Sequence, residues 1–108
     1  MTTITKDIRN GWTAETRFDL ADNKVLIVTT MKRWDKSLST TATVQTKSVF
    51  HGVPMLTYAA GRDFSKTFLK EEVRATQQSV AKQHETVLRH ISTIKDEVAQ
   101  HYGEAVPA

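Results

Sequence analysis

Residues 65–102 read SKTFLKEEVRATQQSVAKQHETVLRHISTIKDEVAQHY, and this stretch decides the predicted fold because it contains no Gly and no Pro. Along it, Val73, Val80, Val87 and Ile94 recur every seven residues, which keeps one narrow stripe on one side of a helix. At about 1.5 Å per residue, an unbroken helix of this length reaches roughly 57 Å. The sequence therefore predicts one long C-terminal helix that overhangs a compact domain of this size.

The ends of this helix carry recognisable signals. Ser65 fits an N-cap, and Phe64 and Leu69 have the spacing of a hydrophobic staple around it. Gly103 fits the residue that follows a helix C-terminus. The predicted helix occupies residues 64–102, and residues 103–108 form a tail.

The stripe on this helix predicts self-association. A sheet of ten-residue strands covers only about 30–35 Å of a helix, so the C-terminal part of the stripe is expected to lack a partner in its own chain. The alternative is that the stripe is ordinary core against the sheet, and it is favoured for the first half of the helix. The predicted oligomer interface consists of Val80, His84, Val87, Ile91, Ile94 and Val98.

Upstream of the helix, alternating and apolar segments predict an antiparallel sheet over residues 11–63. Apolar and polar side chains alternate strictly from Trp12 to Leu20, which is typical of a half-buried strand. Turn-forming residues separate it from three further segments, at Lys24–Trp34, Ser39–Phe50 and Met55–Ala60. Together with a flexible arm at residues 1–10, the chain is predicted to be one α+β domain. It comprises a four-stranded antiparallel β-meander followed by one long C-terminal α-helix.

Positive charge is concentrated in the first part of the chain. Residues 1–66 hold ten Lys/Arg against six Asp/Glu, giving +4, whereas residues 67–108 hold five against six, giving −1. Basic side chains beside an aromatic ring can follow a single strand of nucleic acid. An ordinary solvated surface, with the aromatic ring packed at the rim of the sheet, is the alternative. The candidate nucleic-acid-binding residues are Arg17, Lys32, Arg33, Trp34 and Lys47.

Several classes of protein are disfavoured by composition. The chain has no cysteine, which removes disulfides, thiolate metal sites and cysteine nucleophiles. Its first ten residues lack the apolar run of a secretory signal, and the longest apolar run, residues 25–28, is too short to span a bilayer. We therefore expect a cytoplasmic protein that does not contact a membrane.

No catalytic or metal-binding pattern stands out. Glu97 and His101 share a helix face, but no third residue has the spacing of a metal ligand. The sequence predicts no metal, no cofactor and no enzymatic activity. The expected function is that of a small non-enzymatic homo-oligomeric binding or assembly module. The alternatives are a protein that binds single-stranded DNA or RNA through its basic sheet face and a small-molecule enzyme or ligand-binding protein.

Overall fold

The computed structural model describes residues 1–9 and 11–103, and within them six β-strands precede two α-helices. In chain order these are β1 (Thr2–Asp7), β2 (Gly11–Asp19), β3 (Lys24–Lys32), β4 (Leu38–Phe50), β5 (Val53–Thr57), β6 (Ser65–Glu71), α1 (Gln77–Leu88) and α2 (Ile91–His101). The α+β class, the antiparallel sheet and the C-terminal position of helical structure are confirmed. The prediction of four strands and a single helix is wrong.

The six strands form one antiparallel sheet, in which β1, β2, β3 and β4 are neighbours in chain order. Because β4 is 13 residues long, its far edge accommodates two partners. β6 pairs with the first half of β4, from Leu38 to Thr43, and β5 pairs with the second half, from Thr46 to Phe50. The sheet is therefore widest around β4 and narrows to a hairpin at one corner.

The predicted turns follow from residues that tolerate positive φ. Asp22 and Asn23 both have φ of 60° between β2 and β3, and His51 and Gly52 have φ of 51° and 78° between β4 and β5. Asp, Asn and Gly adopt this left-handed conformation most readily. The turns predicted at residues 21–24 and 51–52 are therefore confirmed.

Both helices cover the same face of the sheet, and the core lies between the two layers. Leu26 and Val28 of β3 are fully buried against the helices, because alternate residues of a strand share one face. The buried side chain of Gln83 attaches α1 to the sheet, because its Nε2 donates to the carbonyl oxygens of Leu38 and Leu69 at 3.1 and 3.2 Å. This amide connects α1 to β4 and β6.

The single helix predicted for residues 64–102 is wrong at its start and in its middle. Residues 65–71 form β6, and the first helix is capped by Thr76, whose hydroxyl accepts from the backbone N–H of Ser79 at 3.1 Å. The chain leaves helical geometry again between Leu88 and Ile91, although no Gly or Pro marks the break. Pairing with the open edge of β4 satisfies a row of backbone groups, and this long-range gain outweighs local helix propensity.

The stripe predicted as an oligomer interface packs against the chain's own sheet. Its buried members are at most 5% exposed. Ile91 packs against the core cluster that contains Leu26, Val28 and Ile94. The expectation that the C-terminal part of the stripe lies beyond the reach of the sheet is therefore wrong, because the break between the helices lets both follow the sheet. The buried members of the stripe are Val80, His84, Val87, Ile94 and Val98.

The N-terminal segment is also more regular than predicted. Residues 2–7, expected to be part of a flexible arm, form the edge strand β1, which pairs with β2 from Thr2↔Thr16 to Asp7↔Gly11. Its side chains are exposed, so backbone pairing rather than side-chain burial holds it. Asn10 and residues 104–108, which include most of the predicted tail, lie outside the described residues.

Candidate functional site

One row of side chains crosses the helix-facing side of the sheet beyond the first turn of α1. Lys6 of β1 pairs directly with Trp12 of β2. Ala14 lies two residues further along β2 and pairs with Thr30, so Lys32 at the end of β3 belongs to the same face. The register therefore places Trp12 between two lysines at this end of the sheet.

Two loops complete a cavity of about 540 Å³ around this row, which we call the basic cleft. The β3–β4 hairpin contributes Lys36, and the segment between β6 and α1 contributes Arg74. The residues that line the basic cleft are Lys6, Gly11, Trp12, Lys32, Lys36, Arg74, Ala75 and Thr76. Thr76 is also the N-cap of α1, so the positive end of the helix dipole lies at the wall of the basic cleft.

The basic cleft concentrates positive charge. Of its described lining residues four are cationic and none is acidic, and no described carboxylate forms an ion pair with these four. Asp35 and Glu72 line a neighbouring hollow that shares Lys36 and Arg74 with the basic cleft. Their negative charges lower the positive electrostatic potential on that side of the cleft. Asp35, however, is already engaged by Lys70 at 2.8 Å. The basic cleft is therefore a local excess of cations with an aromatic ring among them.

Asp35 shapes the hairpin that carries Lys36. Hydrogen bonds from Lys70 and then from Ser37 hold the pKa of Asp35 well below its ordinary value of 3.8, so it remains ionised. Its Oδ1 accepts from the Ser37 hydroxyl at 2.6 Å and from the Ser37 backbone N–H at 3.0 Å. The backbone N–H of Lys36 donates to the Arg33 carbonyl at 3.0 Å. These bonds fix the tip of the hairpin and with it the position of Lys36.

The part of the basic cleft formed by Gly11, Trp12 and Ala75 depends on close backbone packing. The Trp12 backbone N–H donates to the Ala75 carbonyl at 3.2 Å, which attaches β2 to the loop before α1. Gly11 has a φ of +74°, and a Cβ built on it would lie 2.9 Å from that same carbonyl oxygen. A glycine is therefore required here both for its backbone conformation and for the approach of the loop.

We expect Gly11→Ala to lower the free energy of unfolding by about 1–3 kcal/mol through strain and displacement of the loop. Gly61→Ala is the matched control, since Gly61 also has a positive φ of +82° but no atom lies within 4 Å of the position that a Cβ would take there. Urea denaturation of both variants measures the difference. Equal losses would contradict a specific contact between Gly11 and Ala75.

The candidate nucleic-acid-binding residues do not share one surface. Lys32 lines the basic cleft and also, with Arg33 and Trp34, a hollow of about 350 Å³ around the β3–β4 hairpin. Trp34 is 89% exposed there. Arg17 and Lys47 line a separate groove and form ion pairs with Glu15 and Asp19 at 2.6 and 2.7 Å, respectively. Three of the five predicted residues are thus brought together, and two are not.

Four further residues of the basic cleft were not identified as candidates from the sequence, namely Lys6, Trp12, Lys36 and Arg74. Lys6 belongs to a strand that was predicted to be a flexible arm, and Arg74 to a loop that was predicted to be helical. The alternation in residues 12–20 does place Trp12 on the inner face, but only the structure shows that it packs at the border of a small cluster of Ala14, Leu38 and Val80 and stays partly exposed to the basic cleft.

His84 takes part in a buried polar network instead of an intersubunit seam. Its Nε2 lies 2.8 Å from Thr16 Oγ1 and its Nδ1 lies 2.8 Å from Thr30 Oγ1. The network continues from Thr16 to Thr2 at 2.6 Å and from Thr30 to Thr40 at 2.7 Å. Burial lowers the pKa of His84 below its ordinary value of 6.5, so the ring is neutral at pH 7. The network thus connects α1 to four strands through uncharged groups.

Glu97 and His101, the pair of residues that shares a helix face, have separate partners. Glu97 forms an ion pair with Lys66 at 2.8 Å, and His101 Nε2 donates to the Arg62 carbonyl at 2.7 Å. Within the described part of the chain, no group of three His, Cys, Asp or Glu side chains is placed to hold a metal ion.

The fold and the basic cleft define an α+β domain with two helices on one sheet face and an aromatic, cationic cavity at the end of that face. None of the helices in residues 1–9 and 11–103 is both long and apolar enough to cross a membrane. In comparisons with known proteins, no family model, curated protein or solved structure matches this chain.

Proposed function

We propose that the protein is a non-enzymatic module that binds single-stranded nucleic acid in the basic cleft. The observation that carries this proposal is the group of four cations around Trp12, with no acidic side chain among the described lining residues. Cations attract the phosphate backbone, and an aromatic ring stacks on a base irrespective of its sequence. The combination fits a ligand that carries both groups.

The dimensions of the site favour a single strand over a duplex. The cavity of about 540 Å³ has the size of a small-molecule site and accommodates roughly one nucleotide. Stacking on Trp12 requires a base whose face is free, which a duplex does not offer. A duplex would therefore contact only the cations.

A bound strand would leave the basic cleft around the end of the sheet at Lys32, because the next hollow is lined by Thr29 and Met31 of the opposite sheet face. Lys32 borders both the basic cleft and the hollow that contains Arg33 and Trp34. There Trp34 offers an exposed ring for a further base, and Arg33 a fifth cation for its phosphate. This route retains Lys32, Arg33 and Trp34 from the predicted binding residues and leaves out Arg17 and Lys47.

Substitution of a cation in the basic cleft tests the proposal. We expect Arg74→Gln to weaken binding of a labelled single-stranded oligonucleotide on the order of threefold to tenfold, because one phosphate contact is lost. Arg62→Gln is the matched control, since Arg62 is exposed in the loop before β6 and does not line the basic cleft. Fluorescence anisotropy at low salt measures both affinities. Equal affinities for the two variants would contradict the assignment of the site.

A competition experiment separates strand binding from binding of a free small molecule. If the basic cleft and the route past Trp34 act together, unlabelled oligonucleotide displaces the probe at far lower concentration than a nucleoside monophosphate does. A monophosphate that competes as well as the oligonucleotide would show that the site takes a single nucleotide and would overturn the strand-binding proposal.

A further inference from the structure

The hollow of about 350 Å³ that contains Trp34 lies on the sheet face away from the helices, and we call it the outer hollow. Its floor is built from paired residues of three neighbouring strands. Thr29 of β3 lies opposite Thr41 of β4, and Thr41 lies opposite Thr67 of β6. Ser39 precedes Thr41 by two residues and belongs to the same face. Four hydroxyl side chains therefore line the outer hollow beside the ring of Trp34.

These hydroxyl groups have hydrogen-bonding capacity left for a ligand. Ser39 is only 4% exposed, and its hydroxyl has no hydrogen-bond partner within residues 1–9 and 11–103. Of the described side-chain atoms that are sealed from water without a hydrogen bond, none belongs to Ser39, so its hydroxyl opens into the outer hollow. Thr41 and Thr67 share one hydrogen bond at 3.2 Å, which uses one of their two hydroxyl hydrogens. The outer hollow can thus donate to and accept from a bound hydroxyl group.

We propose that the bound single strand is RNA and that the hydroxyl groups of the outer hollow recognise its 2′-hydroxyl groups. This inference rests on the proposed binding of a single strand in the basic cleft. A 2′-hydroxyl is both a donor and an acceptor, and it is the group that distinguishes RNA from DNA. Serine and threonine hydroxyls have the same two roles. Deoxyribose offers no polar group at that position, so with DNA these side chains contact only water.

The basic cleft does not make this distinction. Among its described lining residues, only Thr76 carries a hydroxyl side chain. The Thr76 oxygen accepts from the Ser79 backbone N–H at 3.1 Å, and its hydroxyl hydrogen is donated to Ser79 Oγ at 3.0 Å. Because the cap of α1 already engages this hydroxyl, the basic cleft should bind RNA and DNA equally through phosphate and base. The preference for RNA therefore arises in the outer hollow.

The charge of the outer hollow favours a sugar that carries phosphate over a neutral saccharide. Lys32 and Arg33 line it, and none of its described lining residues is acidic. Glu15 lies opposite Thr29 on the same face, but it is engaged by Arg17 at 2.6 Å. A neutral saccharide would use the aromatic ring and the hydroxyl groups and would leave both cations without a partner. The sugar-phosphate backbone of RNA uses all three kinds of group.

Fluorescence anisotropy at low salt tests the proposal with labelled oligocytidylate and oligodeoxycytidylate of equal length, which differ only at the 2′ position. We expect the wild type to bind the RNA about threefold to tenfold more tightly, which corresponds to roughly one net hydrogen bond. Thr41→Val removes one hydroxyl from the outer hollow and should lose most of this preference without weakening DNA binding. Ser39→Ala is the second variant, used if Thr41→Val fails to fold, and the same result is expected.

Thr43→Val is the matched control. Thr43 lies on the same strand and face as Thr41 and likewise bonds to a hydroxyl of β6, that of Ser65 at 3.3 Å, but it does not line the outer hollow. This variant should keep the preference for RNA. Arg74→Gln should weaken RNA and DNA binding by the same factor, because Arg74 lines the basic cleft and not the outer hollow.

Equal wild-type affinities for the two oligonucleotides would overturn the inference and leave the proposed function standing, whereas binding of neither would overturn both. A preference for RNA that persists in Thr41→Val and Ser39→Ala would also overturn the inference. So would equally tight binding of 2′-O-methyl oligocytidylate, which has no hydrogen to donate at that position, because the preference would then depend on sugar conformation. Displacement of the RNA by maltohexaose would overturn it in favour of a neutral saccharide.

Discussion

Replacing Ile94 by aspartate is expected to unfold the domain. Ile94 is 1% exposed and belongs to the core cluster with Leu26, Val28 and Val87. The described core residues clustered with Ile94 are apolar, so a carboxylate placed there would be buried without a charged partner from this cluster. The cost of an unpaired buried charge exceeds the few kcal/mol by which single substitutions normally change stability. Domains of this size have a total stability of only about 5–15 kcal/mol, so a loss well above about 4 kcal/mol takes a large share of it and can leave too little for folding.

Circular dichroism during thermal unfolding measures this effect. Ile94→Val is the conservative comparison, with an expected loss of about 0.5–1.5 kcal/mol, and Ile8→Asp places the same charge at an exposed position where about 0.5 kcal/mol or less is expected. A cooperatively folded Ile94→Asp domain of lower oligomeric mass would instead support the interface predicted from the sequence and contradict the packing of Ile94 against its own sheet.

A second large loss of stability is expected when His84 is replaced. His84→Ala removes both imidazole hydrogen bonds to Thr16 and Thr30 and leaves a cavity beneath α1. The combined loss of packing and of buried hydrogen bonds is expected to be about 2–4 kcal/mol. Denaturant unfolding at pH 7.5 measures this loss of unfolding free energy. A loss no larger than that of a substitution at an exposed position would contradict stabilisation of the domain by the network.

His84 also makes stability depend on pH in a defined direction. Its pKa is lowered in the folded state, so between that lowered value and 6.5 the unfolded chain binds the proton and the folded chain does not. The contribution of the neutral ring is fully present above pH 6.5 and is lost as the pH falls below it. Glu85 lines the same small cavity as His84 and is the charged group nearest to it in sequence. Between pH 7.5 and 5, the wild type should lose more stability than His84→Gln, and parallel curves would contradict this assignment.

Short-range structure was predictable from the sequence where neighbouring residues determine it. Strict alternation places β2 within one residue of its predicted bounds, and Asp22-Asn23 and His51-Gly52 form the predicted turns. The stripe from Val80 to Val98 does lie on one side of helical structure, as its spacing indicates. What the spacing does not determine is which surface covers that stripe.

Long-range pairing explains the parts that were mispredicted. Residues 65–71 have no strong local preference against a helix, but β4 offers them an unpaired edge from Leu38 to Thr43. The true N-cap at Thr76 had a signal, since Ser79 follows three residues later and completes a capping box. The break after Leu88 has no equivalent signal, because it arises from the need of both helices to follow one twisted sheet.

In the candidate site, too, local proximity was predictable from the sequence and long-range proximity was not. Lys32, Arg33 and Trp34 lie together because they are consecutive in a hairpin, and their proximity was predictable. Lys6 and Arg74 lie 68 positions apart in the sequence and meet only through the pairing of β1 with β2 and the loop before α1. The sequence offers no local pattern that connects these two cations.

Stacking of a nucleic-acid strand on Trp12 among four cations can be followed by the intrinsic fluorescence of the Trp34→Phe variant. Trp12 is then the single tryptophan, because the chain has two. On titration with an unlabelled single-stranded oligonucleotide at several salt concentrations, Trp12 emission should be quenched. The logarithm of the affinity should fall with the logarithm of the salt concentration at a slope of about −3, as expected for four neutralised phosphates. Unchanged Trp12 emission, or an affinity independent of salt, would contradict the claim.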